Sequence, residues 1–113
     1  MRMARFRDAD TAHAAYVRLT PAYLYAAYRD RMTDEPVPFD YPQPLPGDEA
    51  ATYLYDVKLP APVPNGATLK GQLTALRAGN AVFLVESIGV RPEQLVPALA
   101  ELVRRARELG SAR

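Results

Sequence analysis

Residues 69–87 restrict the possible folds of this chain more than any other segment. They read LKGQLTALRAGNAVFLVES, two apolar runs separated by Gly79 and Asn80. Because glycine adopts a positive φ without a steric penalty, this pair predicts a β-hairpin with a two-residue type II′ turn. A loop of two residues also fixes the register of the strands, which should place Leu76 opposite Phe83.

Both faces of the predicted hairpin are apolar. The first face carries Leu69, Leu73, Ala75, Val82 and Leu84, and the second carries Leu76, Ala78, Ala81, Phe83 and Val85. A hairpin with one solvated face would alternate apolar and polar residues. Two interpretations therefore stay open: the chain's own helices and loops cover both faces, or a second lobe, a second copy or a ligand covers one of them.

Further strands are predicted before the hairpin. Residues 2–7 are expected to form an edge strand, where arginines discourage unwanted strand pairing. Residues 52–59 alternate and are rich in aromatic and β-branched side chains, which favours a strand. A turn at residues 64–66 then leads into the hairpin strands, expected at 68–78 and 81–87. The last three strands should form a meander.

Helices are expected in two parts of the chain. Asp8 or Asp10 is placed to cap a first helix, because a carboxylate accepts hydrogen bonds from the exposed N–H groups of the first turn. Thr20 and Pro21 are typical of an N-cap followed by a first helical residue, so a second segment begins there. An apolar stripe between residues 95 and 109 predicts a closing helix.

These elements predict a single α+β domain over residues 1–113. We expect an antiparallel meander sheet of three to four strands with two or three helices packed on one face, in the order β-α-(α)-β-β-β-α. Residues 33–50 form a proline-rich loop, since alternating prolines bar a helix. Phe39, Tyr41 and Leu45 should anchor that loop on the core; a ligand for an SH3-type domain is the alternative.

Composition narrows the possible partners and compartments. The net charge of +1 is too small to make nucleic acid a main partner. Without cysteine, disulfides, thiolate nucleophiles and zinc thiolate sites are excluded, and no cofactor is expected. No signal peptide and no membrane span are apparent. The chain as written is therefore expected in the cytoplasm, or outside the membrane if it is a fragment of a longer protein.

The acidic residues do not predict an enzyme or a metal site. Asp8, Asp10 and His13 form a DxDxxH string that offers three potential ligands, but a helix start already explains the carboxylates. Asp48 and Glu49 are adjacent, so they do not face each other as an acid/base pair would. We expect them to act in capping or solvation. The sequence therefore favours a non-catalytic protein without a bound metal.

Aromatic residues indicate where a ligand could bind. All seven tyrosines precede residue 56, and tyrosine combines an apolar ring with a polar tip, as binding sites require. A packed core rim with the hydroxyls in water is the alternative. The predicted ligand or partner surface consists of Tyr53, Tyr55, Leu76, Phe83 and Val85. We expect a binding module for a small apolar ligand or a protein partner, or alternatively a structural homo-oligomer, such as a homodimer, that pairs through the same face.

The segments PLPGDEAATYLY and LTALRAGNAVFLVES, with the closing helix, resemble the C-terminal half of a sensor-like domain. That domain occurs outside the membrane in actinobacterial serine/threonine kinases and related lipoproteins. The matching residues are Gly47, Asp48, Glu49, Arg77, Gly79 and Asn80. The resemblance implies a sheet-and-helix fold with a cleft and a ligand-sensing or envelope role. Two parts of such proteins are not in this sequence: the signal or membrane segment and the other half of the domain.

Overall fold

Five antiparallel strands form one sheet, and helices lie on both of its faces. The computed structural model describes residues 1–59 and 69–111. The elements in chain order are β1 (Arg2–Arg5), α1 (Ala9–Tyr16), α2 (Pro21–Ala27), β2 (Val37–Phe39), β3 (Glu49–Asp56), β4 (Lys70–Ala78), β5 (Ala81–Ile88) and α3 (Pro92–Ser111). The strands lie side by side in the order β1-β5-β4-β3-β2. The predicted α+β class and antiparallel meander are confirmed.

The β4–β5 hairpin at the centre of the sheet has the predicted register. Leu76 pairs with Phe83 and Ala78 with Ala81. Gly79 adopts a φ of 58°, and a Cβ added there would contact nothing within 4 Å. The glycine is therefore required by the backbone conformation of the turn and not by lack of space.

Hydrogen bonds at the helix starts confirm the predicted caps. The Asp8 carboxylate accepts a hydrogen bond from the Thr11 backbone N–H at 2.7 Å, so Asp8 and not Asp10 caps α1. The Thr20 hydroxyl accepts from the Tyr23 N–H at 3.2 Å, and Pro21 is the first residue of α2. The two helices are consequently separate, and each is short.

The proline-rich segment contributes a strand that the sequence did not predict. In β2, Pro38 pairs with Tyr53 of β3. Because β2 lies at the edge of the sheet, the missing N–H of a proline is tolerated there. Tyr41 and Leu45 pack against the core as predicted, but Phe39 stays 38% exposed and meets Tyr41 edge-on, with 6.1 Å between ring centroids.

Each face of the sheet has its own apolar core. The α3 core consists of Leu76, Ala78, Ala81, Phe83, Leu95, Leu99, Val103 and Ala106. The α2 core, on the opposite face, consists of Leu24, Tyr28, Met32, Tyr55 and Leu73. The prediction that helices lie on one face only is wrong, because both faces are apolar and the chain covers each with its own helices. Leu109, expected in the buried stripe of α3, is 61% exposed.

The turn predicted at residues 64–66 lies outside the described residues. Among the residues that are described, no helix has the length and hydrophobicity needed to cross a membrane.

Candidate functional site

The structure divides the predicted binding surface between the two cores. Leu76 and Phe83 are 0% and 2% exposed within the α3 core, and Val85 packs against it. Tyr55 belongs to the α2 core, and Tyr53 packs against that core. These five residues therefore do not share one face. The expectation that Leu76 and Phe83 lie on an uncovered face is wrong, because α3 covers them.

Tyr55 is a buried tyrosine whose hydroxyl is bound to a carboxylate. It donates a hydrogen bond to Glu86 Oε2 at 2.6 Å, and Arg31 Nη1 donates to Glu86 Oε1 at 2.8 Å. Burial and the neighbouring Glu86 carboxylate raise the pKa of Tyr55. Gly71 lies opposite Tyr55 in β4, and a Cβ there would lie 2.7 Å from the Tyr55 Cε1 atom. The glycine thus makes room for the tyrosine ring.

An apolar groove of about 500 Å³ opens beside the α2 core, and we call it the β1 groove. It is lined by Arg2, Met3, Ala4, Phe6, Ala15, Arg18, Leu19, Tyr23, Ala27, Tyr28, Val82 and Leu84. One wall comes from β1 and β5, and the other comes from α1, α2 and the turn between them. Its volume lies within the range of small-molecule sites in proteins.

Local sequence explains why the groove is open. Ala4, Ala15 and Ala27 stand on its walls, and their methyl groups cannot fill the space between strand and helix. α1 packs mainly on β4 and β5. Val82 and Leu84 of β5 are therefore left facing the space at this side of the sheet.

Tyr28 and Arg2 mark the point where the groove meets a smaller, polar cavity. The Arg2 guanidinium lies over the Tyr28 ring, 5.2 Å from its centroid, in a cation–π contact. The second cavity, of about 130 Å³, shares both residues with the groove and is also lined by Arg31 and Glu86. The apolar groove thus adjoins the carboxylate that binds Tyr55.

A separate polar cluster connects α1, β3 and β4. Glu49 accepts a hydrogen bond from Arg77 Nε at 2.6 Å and contacts His13 Nδ1 at 2.7 Å. Hydrogen bonds from His13 and Arg77 hold the pKa of Glu49 below its usual range. Asp48 accepts a hydrogen bond from the Gly79 N–H at 2.7 Å. Both carboxylates therefore have fixed structural partners.

The DxDxxH string is not brought together as a ligand set. Asp8 caps α1, while His13 contacts Glu49, which lies 36 positions away in the sequence. In the described part of the chain, no group of three histidine, aspartate or glutamate residues is placed to hold a metal ion. The arrangement supports a structural role for these side chains.

Two other cavities are less suited to an apolar ligand. The largest, of about 790 Å³, lies along α3 beside Arg104, Arg107 and Glu108, and Arg104 pairs with Glu108 at 2.5 Å. Another, of about 530 Å³, lies between β3 and the proline-rich segment and is lined by Asp40 and by the Asp48–Glu49 pair. Both linings include carboxylates, which the lining of the β1 groove does not.

The chain matches no protein-family model, no curated protein and no solved structure. The site is therefore defined by its geometry. The sequence showed that all seven tyrosines precede residue 56, and two of them, Tyr23 and Tyr28, line the β1 groove. Sequence reasoning missed Arg18 and Leu84, since only the packing of α1 and α2 against the sheet brings these residues to one space.

Proposed function

We propose that this chain is a non-catalytic binding module that holds a small apolar ligand in the β1 groove. The observation that carries the proposal is the groove itself: a concave space of about 500 Å³ between two helices and a sheet, walled mainly by apolar side chains. Such a space suits a small molecule, because binding removes apolar surface of both partners from water.

The side chains of the groove support binding more than chemistry. Tyr23 is 53% exposed, so its ring can cover a ligand while its hydroxyl stays in water. The carboxylates that could act as acid or base lie elsewhere: Glu49 is bound to Arg77, and Glu86 is bound to Tyr55 and Arg31. A sensing role, as the resemblance to sensor-like domains implies, would use this groove as the ligand site.

The alternative of a homo-oligomer paired through the hairpin face has less support. Pairing through Leu76 and Phe83 would require α3 to leave the sheet, because both residues are buried beneath it. The Tyr53–Tyr55 side of the sheet is likewise occupied by the α2 core. A ligand in the β1 groove requires no such rearrangement.

The proposal is tested with a neutral fluorescent probe, N-phenylnaphthylamine, whose emission rises in an apolar site. We expect saturable binding to the protein. Ala27→Phe should weaken it about tenfold or more, because Ala27 lines the groove and a phenyl ring would fill it. Ala26→Phe is the matched control, since Ala26 is also exposed on α2 and does not line the groove.

Three results would decide against this function. Absence of saturable binding would remove it, and so would equal binding by both phenylalanine variants, because the probe would then lie elsewhere. Light scattering on the same samples tests the homo-oligomer alternative. If probe binding is lost as a stable dimer forms, self-association is favoured over ligand binding. Thermal unfolding of both variants confirms that each is folded.

A further inference from the structure

We infer that the ligand of the β1 groove is a free amphiphile with a single carboxylate group, and that Arg18 binds this group. The inference rests on the proposed function and adds the chemical class of the ligand. The observation behind it is that the charged residues of the groove are all positive, in a lining that is otherwise mainly apolar.

The lining contains two arginines and no acidic residue. Arg2 enters from β1 and Arg18 from the turn between α1 and α2, while aspartate and glutamate are absent from the described lining. A positive charge beside apolar surface attracts an anion more strongly than it would in bulk water, because the local dielectric is lower. The groove is therefore complementary to a molecule with an apolar body and a negative group.

Several other arginines of the described chain have carboxylate partners. Arg31 pairs with Glu86, Arg77 with Glu49, and Arg104 with Glu101. Within residues 1–59 and 69–111, no hydrogen bond or ion pair is found for the side chain of Arg18, whose backbone groups bond to Ala15 and Thr20. Its guanidinium is available to a ligand. A planar guanidinium also matches a carboxylate, which can accept two parallel hydrogen bonds from it.

Arg2 is a weaker candidate for the same role. Its guanidinium already lies over the Tyr28 ring. Glu86 lines the adjoining cavity that Arg2 also lines, so a negative charge is present at that end of the groove. An anionic ligand group would be repelled there and favoured at Arg18. We therefore expect the apolar part of the ligand to lie against Val82, Leu84 and Tyr28.

A free molecule fits the groove better than a membrane surface does. The space is a groove between a strand wall and a helix wall, which suits a single extended chain more than the flat surface of a bilayer. The occupant we propose is therefore monomeric and soluble, with an alkyl or similarly slender body.

The test compares three probes that share one alkyl chain: decanoate, decanol and decyltrimethylammonium, each below its micellar concentration. Calorimetric titration of the full chain should show decanoate binding about tenfold more tightly than decanol, and decanol more tightly than the cation. Arg18→Gln should abolish the advantage of decanoate while leaving decanol unchanged. Arg29→Gln is the matched control, because Arg29 carries the same charge on the same part of the chain, contacts Tyr25 and does not line the groove.

The outcomes separate this inference from the proposed function. Equal binding of decanoate and decanol would overturn the inference and leave an apolar site in place. Failure of all three probes, together with failure of the neutral fluorescent probe, would overturn both. An equal loss in Arg18→Gln and Arg29→Gln would show general surface charge and overturn the role of Arg18. Binding of anionic vesicles in place of free decanoate would also decide against it.

Discussion

The two faces of the sheet are covered in different ways. On one face, a single helix of 20 residues, α3, packs its buried stripe on the hairpin. On the other face, α1 and α2 have 8 and 7 residues and meet at a turn. At 1.5 Å per residue, α3 is about 30 Å long, whereas the other two are only about 11 Å each.

The comparison shows how one sheet can have a closed face and an open one. A long helix aligned with the sheet fills one face with leucine, valine and alanine side chains. Two short helices joined by a turn leave a space between them and β1, where alanines stand and the β1 groove opens. Stability should therefore depend more on the α3 face, and ligand binding on the other.

The largest expected effect comes from a matched pair of leucines on neighbouring strands. Leu76→Ala should destabilise the protein by about 2–5 kcal/mol, because Leu76 is fully buried in the α3 core and its removal leaves a cavity. Leu84→Ala should cost about half as much, since Leu84 is only partly buried and faces the groove. Urea unfolding measures both free energies.

Ligand binding should respond in the opposite order. Leu84→Ala should weaken binding of the neutral fluorescent probe, whereas Leu76→Ala should leave it unchanged in the folded protein. Equal destabilisation by the two substitutions would show that the faces do not differ as described. Loss of binding in Leu76→Ala alone would place the site under α3.

Much of the fold follows from short-range rules in the sequence. The Gly79-Asn80 loop is too short to allow more than one register, so the pairing of Leu76 with Phe83 was predictable. The caps at Asp8 and Thr20 were predictable for the same reason, because they depend on residues within one helical turn. β2 was not predictable in this way. A segment with alternating prolines, such as the one around Pro38, indicates a loop, and only its pairing with β3 at the edge of the sheet makes it a strand.

The candidate site depends on contacts between distant residues, and the sequence did not predict it. Alternation showed that Leu76 and Phe83 form an apolar face, but not that a helix ten or more residues later covers it. Arg18 approaches Val82 only because α1 turns back over the sheet. The packing of α1 and α2 against the sheet decides this, and local propensity contains no information about such packing.

A smaller effect is expected at the polar cluster that holds α1 to the sheet. Glu49→Gln should lower the free energy of unfolding at neutral pH by about 1 kcal/mol, because it removes the charge that His13 and Arg77 contact. Glu101→Gln, on the exposed side of α3, is the control and should cost less, since Glu101 pairs only within its own helix.

The pH dependence of Glu49→Gln has a defined sign. The folded protein holds the pKa of Glu49 below its ordinary value of 4.5. Its contribution is therefore fully present above that value and is lost as the pH falls below it. Urea unfolding between neutral and acid pH should show the two proteins converging at the acid end. A constant difference across this range would mean that the charge of Glu49 contributes nothing.

The smallest effect at neutral pH is expected for Tyr16→Phe, on the same face. Burial, with Tyr53 and Glu49 nearby, raises the pKa of Tyr16 to about 12. Folding thus favours the neutral phenol, and the resulting stability is present below pH 10 and lost as the pH rises towards 12. Tyr16→Phe should therefore change the free energy of unfolding by less than about 0.5 kcal/mol at neutral pH. As the pH rises above 10, the variant should lose less stability than the unsubstituted protein does. Ultraviolet difference titration should show that the phenolate step lost in the variant is a late one, towards pH 12. Loss of a step near pH 10 would place Tyr16 in water, outside the packed part of this face.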